Sequence, residues 1–263
     1  MVVRTAAVSV VVCLAVALAG LAVTGSPARV APADAPRVVT LGDSVTAGAA
    51  CRCDPFPVLY GRRLAERLGV PVHVDNRGIN GLDSDGLLRR LRHPRWDLAR
   101  SVARADVVVV TIGANDFGDH HDEVTEGRCA RVDTDCVADG LVTLRRHVDR
   151  SLARIADLRG GRPSTVLVTG YWNVFEDGDV ARREFPTAGL GASIALTRRT
   201  NRVLRDAARA GGATYVDLFT SFQRKGAGIT RLLAGDGDHP SAAGHALIAR
   251  VLLAADLRGS SRP

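Results

Sequence analysis

Residues 37–48 read RVVTLGDSVTAG: a short apolar run, then Gly-Asp-Ser, then small residues. The run predicts a β-strand over 37–41, and Gly42 and Asp43 predict the turn that ends it. Ser44 then stands where a strand hands over to a helix. In open parallel sheets ligands bind outside that edge. Gly, Asp and Ser are also ordinary turn and N-cap residues, so a plain helix cap accounts for this stretch equally well when it is read alone.

Four more apolar runs follow: PVHVDN (71–76), DVVVVTIG (106–113), STVLVTGY (164–171) and ATYVDL (213–218). Helical periodicity fills the gaps. FPVLYGRRLAERLG (56–69) stops at Gly69 and LVTLRRHVDRSLARIADLRG (141–160) at Gly160, while LTRRTNRVLRDAARAGG (196–212) and SAAGHALIARVLLAADL (241–257) have the same spacing. Val-rich strands alternating with helices predict a parallel sheet covered on both faces. With right-handed crossovers the result is an α/β fold, a three-layer α/β/α sandwich with five parallel strands. The loops after the strands then meet at one edge, and the unusual polar residues of this chain lie in them.

The composition agrees with one such domain. The chain has 263 residues, 46% hydrophobic but only 4% aromatic, so Val, Leu and Ala must build the core. A core of that size folds without a metal or many disulfides. The formal charge is +7, carried mostly by Arg scattered along the amphipathic helices. With no nucleic-acid motif beside it, this reads as a solvated surface rather than a nucleic-acid partner.

The N-terminus reads as a targeting segment. Arg4 precedes TAAVSVVVCLAVALAGLAV, and a Pro- and Ala-rich stretch follows. This is the pattern of a secretory signal peptide with a short linker, residues 1–33, leaving 34–263 as the functional domain. Ala31–Ala33 (APA) and Ser26–Ala28 (SPA) are the candidate cleavage sites. The apolar stretch Thr5–Val23 is almost long enough to span a bilayer, so an uncleaved anchor is the alternative to a secreted protein. Cys13 lies too early, and after Val12, to suit lipid attachment.

Removal of this segment leaves Cys51, Cys53, Cys129 and Cys136. An even count in an exported protein predicts two disulfides, with three possible connectivities. Cys129–Cys136 would be a local clasp around ARVDTD, whereas Cys51–Cys53 would close a small strained ring. Either of the other connectivities would tie two loops together. Four zinc thiolates suit neither the spacing nor the compartment.

Three segments carry chemistry. In DGDHP (236–240), Asp236 and His239 are three residues apart, which can set them side by side in a turn. A carboxylate there can hold one imidazole nitrogen protonated and leave the other as a base. Pro240 suits the first position of the helix that follows. In GAND (113–116), Asn115 would offer a neutral amide donor to a developing oxyanion. In NRGINGLDSDGLL (76–88), Gly81 could bring a backbone N–H close to a ligand. Each segment alone has a plain alternative: a cap with a surface His, a turn Asn, a turn Gly.

Together, and in this order, the four blocks GDS, Gly81, GAND and DGDHP resemble those of the SGNH, or GDSL-like, hydrolases, over nearly the whole mature chain. The resemblance implies a flavodoxin-like sandwich and a serine mechanism that cleaves carboxylic esters, thioesters or acyl groups without metal or cofactor. It makes Ser44 the nucleophile, His239 the base and Asp236 its partner. The Ser44 N–H, the Gly81 N–H and the Asn115 amide become the oxyanion hole, with Gly78 a fallback for Gly81 because RGING offers two glycines. Leu82 departs from the polar residue many relatives carry after that Gly. Ser44 at a helix N-terminus would also feel its dipole. The implied partner is a small-molecule or lipid ester, acted on by a monomer with no obligatory protein partner.

Other readings fit less well. An α/β-hydrolase elbow needs G-x-S-x-G, and Thr46 occupies the second Gly position. DFGDHHDE (116–123) could offer metal ligands, but adjacent His120 and His121 point differently on any regular element. GLGAS at Gly189 lacks the full nucleotide fingerprint and follows no strand. An exported carbohydrate-binding or adhesion domain on the same scaffold is the non-enzymatic alternative; it predicts a missing triad member, and every member is present. Phe117, Trp172, Phe175 and Phe222 could line an acyl pocket or simply pack beneath long loops.

Overall fold

The computed structural model describes residues 35–93, 97–130, 135–224 and 228–259. The segment read as a signal peptide, 1–33, lies outside them. Strands β1 (Arg37–Gly42), β2 (His73–Gly78), β3 (Val107–Thr111), β4 (Thr165–Thr169) and β5 (Thr214–Val216) pair in parallel throughout, in the order β2-β1-β3-β4-β5. The helices are α1 (Ser44–Ala47), α2 (Phe56–Leu68), α3 (Ser84–Arg92), α4 (Leu98–Arg104), α5 (His121–Thr125), α6 (Ala138–Arg159), α7 (Gly178–Glu184), α8 (Thr187–Ala210), α9 (Leu218–Phe222), α10 (Ile229–Leu232) and α11 (Ala242–Gly259). Helices α2 and α11 pack together on one face of the sheet, and α3, α4, α6 and α8 cover the other, giving the expected three layers.

Burial follows strand position. Central β3, VVVVT, is buried at every residue, while edge strand β2, HVDNRG, is half-buried or exposed. This is the difference between a strand covered on both faces and one that ends a sheet. From α2, Phe56, Tyr60 and Leu64 turn inward at helical spacing, and the Tyr60 hydroxyl donates to Asp256 on α11 at 2.8 Å. Gly69 and Gly160 end α2 and α6 in left-handed conformations, as their sequence positions predict.

Two local expectations change. The helix after β1 is one turn long: Asp43 caps it and Gly48 ends it at φ 86°. Ser44 therefore sits at the start of a helix with little dipole of its own, since that field is the sum of aligned peptide units. Pro240 is not the first residue of α11. It forms an isolated bridge with Leu233, and Ser241 Oγ accepts the Gly244 N–H at 3.3 Å at the start of the helix. A side-chain cap is available at Ser241, so the helix starts after it.

Candidate active site

The strand order reverses direction at β1, whose neighbours β2 and β3 lead away on opposite sides. The crevice at such a switch point is the usual ligand site of an open α/β sheet. Gly42 closes β1 at φ 148°, and a Cβ there would overlap the Thr111 carbonyl oxygen at the end of β3. Only glycine lets the two strand ends approach this closely. The next residue, Asp43, is buried; its Oδ1 accepts the Val45 N–H at 3.0 Å and its Oδ2 accepts the Tyr171 hydroxyl. Burial pushes the Asp43 carboxyl up to about 7, against the pull of these hydrogen bonds. Ser44 follows, half-buried, as the first residue of α1.

The sheet order places the Gly81 loop, beyond β2, and Asn115, beyond β3, on either side of the end of β1. Asn115 Nδ2 donates to the Leu82 carbonyl at 2.9 Å, joining these two segments. Gly81 has φ 72° and is exposed. Among the described residues, neither the Gly81 N–H nor the Ser44 N–H has an acceptor. Gly78 differs: its N–H is engaged by Asn76 Oδ1 at 3.0 Å, and α1 passes against it so closely that a Cβ would meet Ala47 N. Of the two glycines, Gly81 has the available donor.

Asp236 and His239 form a closed pair in the turn before α11. His239 Nδ1 lies 2.8 Å from Asp236 Oδ2, and the His239 N–H donates to Asp236 Oδ1 at 3.0 Å. Burial pushes the Asp236 carboxyl up, but the hydrogen bonds from the His239 ring and backbone and from the Asp238 N–H outweigh it, so the carboxyl is held below its ordinary value. A carboxylate at Nδ1 fixes the proton there and leaves the Nε2 lone pair as the basic site. Among the described residues no hydrogen bond joins the Ser44 hydroxyl to the His239 ring. The two turns are linked through the loop after β4: Tyr171 bonds Asp43, and Trp172 Nε1 donates to the Asp238 carbonyl at 3.2 Å. The charge of Asp238 is close enough to act on Asp43.

That loop is anchored from α8. Asn201 holds the Tyr171 backbone on both sides, accepting its N–H at 2.9 Å and donating to its carbonyl at 2.8 Å. Tyr171 is a site residue the sequence did not single out. It follows β4 in TGYW, at the edge where the polar loops meet, but its partner Asp43 is 128 positions away. Trp172 stacks on Phe222 with centroids 4.3 Å apart, and both are buried together with Phe117 and Phe175. Between a pocket lining and packing beneath loops, these four aromatics do the second.

The histidines of DFGDHHDE part company. His120 Nδ1 meets Glu123 at 2.9 Å, while His121 meets Asp122 and, across the loop, Glu176 Oε2, each at 3.0 Å. Gly189, of GLGAS, lies inside α8. Cys51 is paired with Cys53 at a Cα separation of 5.2 Å, and Cys129 with Cys136 at 5.6 Å.

A three-layer parallel sandwich with its polar loops gathered at the switch point is the architecture of a broad class of α/β enzymes. The family is narrower. The profile of the GDSL-like Lipase/Acylhydrolase family matches residues 40–247, and the chain belongs to that family of hydrolases. Solved structures share the fold. The lipase Lip_vut3 from a goat rumen metagenome superposes at a TM-score of 0.64 and 19% identity, over 84% of this chain and 97% of that one. Phospholipase A1 from Streptomyces albidoflavus NA297 does so at 0.57 and 21%, over 84% and 99%. A mutant of Axe2, an acetyl-xylooligosaccharide esterase from Geobacillus, gives 0.53 and 19%, over 84% and 93%. No curated protein sequence matches this chain.

Proposed function

We propose that this protein is an exported serine esterase that cleaves carboxylic esters through an acyl-enzyme on Ser44. The observation that carries the proposal is the convergence at the end of β1. Ser44 follows β1, with the Gly81 loop after β2 on one side and Asn115 after β3 on the other. Among the described residues the Ser44 and Gly81 N–H groups have no acceptor, and the closed Asp236–His239 pair is tied to the same turn through Tyr171 and Trp172.

The chemistry follows. His239 Nε2 takes the Ser44 hydroxyl proton as Oγ attacks the ester carbonyl. The carbonyl oxygen becomes an oxyanion, met by the N–H groups of Ser44 and Gly81 and by Asn115 Nδ2. Asp236 holds the imidazolium. The C–O bond to the alcohol breaks, the alcohol leaves with the proton from His239, and the acyl group stays on Ser44. Water then attacks the acyl-enzyme, giving its proton to His239, and the tetrahedral intermediate collapses to acid and free Ser44 as that proton returns to Oγ.

Export is supported by the N-terminal apolar segment and by the paired cysteines. Among the described residues no helix is long and apolar enough to cross a membrane. The fold neighbours carry names that span lipids and acetylated sugars, so the substrate screen must span them too. The test is hydrolysis by residues 34–263 of p-nitrophenyl esters from acetyl to palmitoyl, of acetylated xylo-oligosaccharides and of phospholipid vesicles. The expected result is turnover of at least one class that disappears in Ser44→Ala. No hydrolysis of any class, or undiminished hydrolysis in Ser44→Ala, contradicts the proposal.

A further inference from the structure

Behind Asn115 lies a second Ser, His and Asp constellation. Ser84, the first residue of α3, is buried. Its N–H donates to Asp116 Oδ2 at 3.0 Å, its hydroxyl donates to Asp116 Oδ1, and His147 Nδ1 lies 3.1 Å from the same hydroxyl oxygen. A serine hydroxyl has one proton. Because that proton goes to Asp116, His147 must supply the Nδ1–H, and the chain of donors runs from His147 through Ser84 to Asp116. The base-to-nucleophile direction is thus the reverse of what a reactive serine needs, and Ser84, 1% exposed, has no path to a substrate. This is not a second hydrolytic site.

Nor is it simply a helix cap. Asp83 caps α3 by accepting the Gly86 N–H at 2.7 Å. The Ser84 hydroxyl is an additional buried polar group, which costs stability unless paired, and the half-buried His147 ring is its second partner. Their location suggests their use. Ser84 lies three positions after Gly81 and Asp116 lies next to Asn115. With Asn115 Nδ2 on the Leu82 carbonyl, three hydrogen bonds join segment 82–84 to segment 115–116. His147, from α6 packed against α3, braces them from behind.

We propose that Ser84, Asp116 and His147 are positioning residues that set the gap between the Gly81 N–H and the Asn115 amide, and so the fit of the oxyanion. This rests on the oxyanion role given to those two donors above. A misplaced donor costs transition-state stabilisation while leaving ground-state binding almost untouched.

The test compares Ser84→Ala, Ser84→Cys and His147→Gln with the parent protein and with Ser44→Ala on one ester. Each is followed by kcat, KM, Tm and the inhibition constant of a matching trifluoromethyl ketone, whose adduct places an oxyanion in the hole. Ser84→Ala should lower kcat about tenfold, less than the 10²–10³ for deleting a donor outright. Its KM should stay within about twofold, and its ketone inhibition constant should rise in step with the loss of kcat/KM. Ser84→Cys should recover part of the loss. Should Ser84→Ala fail to fold, His147→Gln and the isosteric Asp116→Asn carry the same expectation. Variants that lose Tm but keep kcat and ketone affinity overturn the proposal while leaving Ser44 chemistry standing. A Ser44→Ala protein with full turnover overturns both.

Discussion

Asp43 is the residue whose place in the sequence says least about its electrostatics. Next to Ser44 it reads as a turn residue, and it does cap α1, but it is also buried against Tyr171 and driven to about 7. An acid whose folded value exceeds its unfolded one, 3.8, keeps its proton in the native state while the unfolded chain ionises. The native state then binds more protons, so the associated stability is fully present below about pH 4 and is lost as pH rises through about 7. Relative to Asp43→Asn, the parent should therefore lose Tm steadily from pH 4 to 7 and level off above. A Tm difference independent of pH contradicts the assignment. At Asn115 the expectation is kinetic. Asn115→Ala should reduce kcat by about 10²–10³ with little change in Tm, the range for one lost oxyanion donor. Unchanged kcat would show that the amide serves the Leu82 carbonyl alone.

At the scale of elements, legibility followed covalent locality. Strand β1, helix α2 and the stops at Gly69 and Gly160 were readable because their determinants lie within a few residues. Helix α8 begins at Thr187, before the 196–212 pattern, because its first turns bury small residues such as Gly189 and Ala192 that give little hydrophobic signal. Strand β2 begins two residues into the 71–76 run and extends to Gly78 because an edge strand is set by pairing with Arg37–Gly42 rather than by apolar content. The cysteine pairs belong to this scale as well. Closing the loop between Cys129 and Cys136 contributes about 2–3 kcal/mol by the chain-entropy model. Cys129→Ser/Cys136→Ser should then melt about 4–12 °C lower with its kcat retained. Thiol titration of residues 34–263 in denaturant without reductant should find no free thiol, and peptide mapping should recover Cys51–Cys53 and Cys129–Cys136. Four titratable thiols would remove the disulfides and weaken the case for an oxidising compartment.

Across the whole molecule, the strand order β2-β1-β3-β4-β5 brings the loops that carry Ser44, Gly81 and Asn115 around the end of β1, where the proposed site lies. The blocks holding Ser44, Gly81, Asn115, Asp236 and His239, the residues of the proposed site, stand out in the sequence because each block is a short local motif on one loop. Their supports could not. Tyr171 with Asp43, and His147 with Ser84, are pairs separated by 128 and 63 positions, and only the packed sheet and helices bring them together. The central claim is that Ser44 is the nucleophile. The most direct measurement is mass spectrometry of residues 34–263 after reaction with a fluorophosphonate, with peptide-level location of the adduct and a parallel assay of ester hydrolysis. The account predicts one adduct per chain, on Ser44, formed in proportion to the activity lost and absent from Ser44→Ala. An adduct on another residue, or full inactivation of Ser44→Ala by the same reagent, would contradict it.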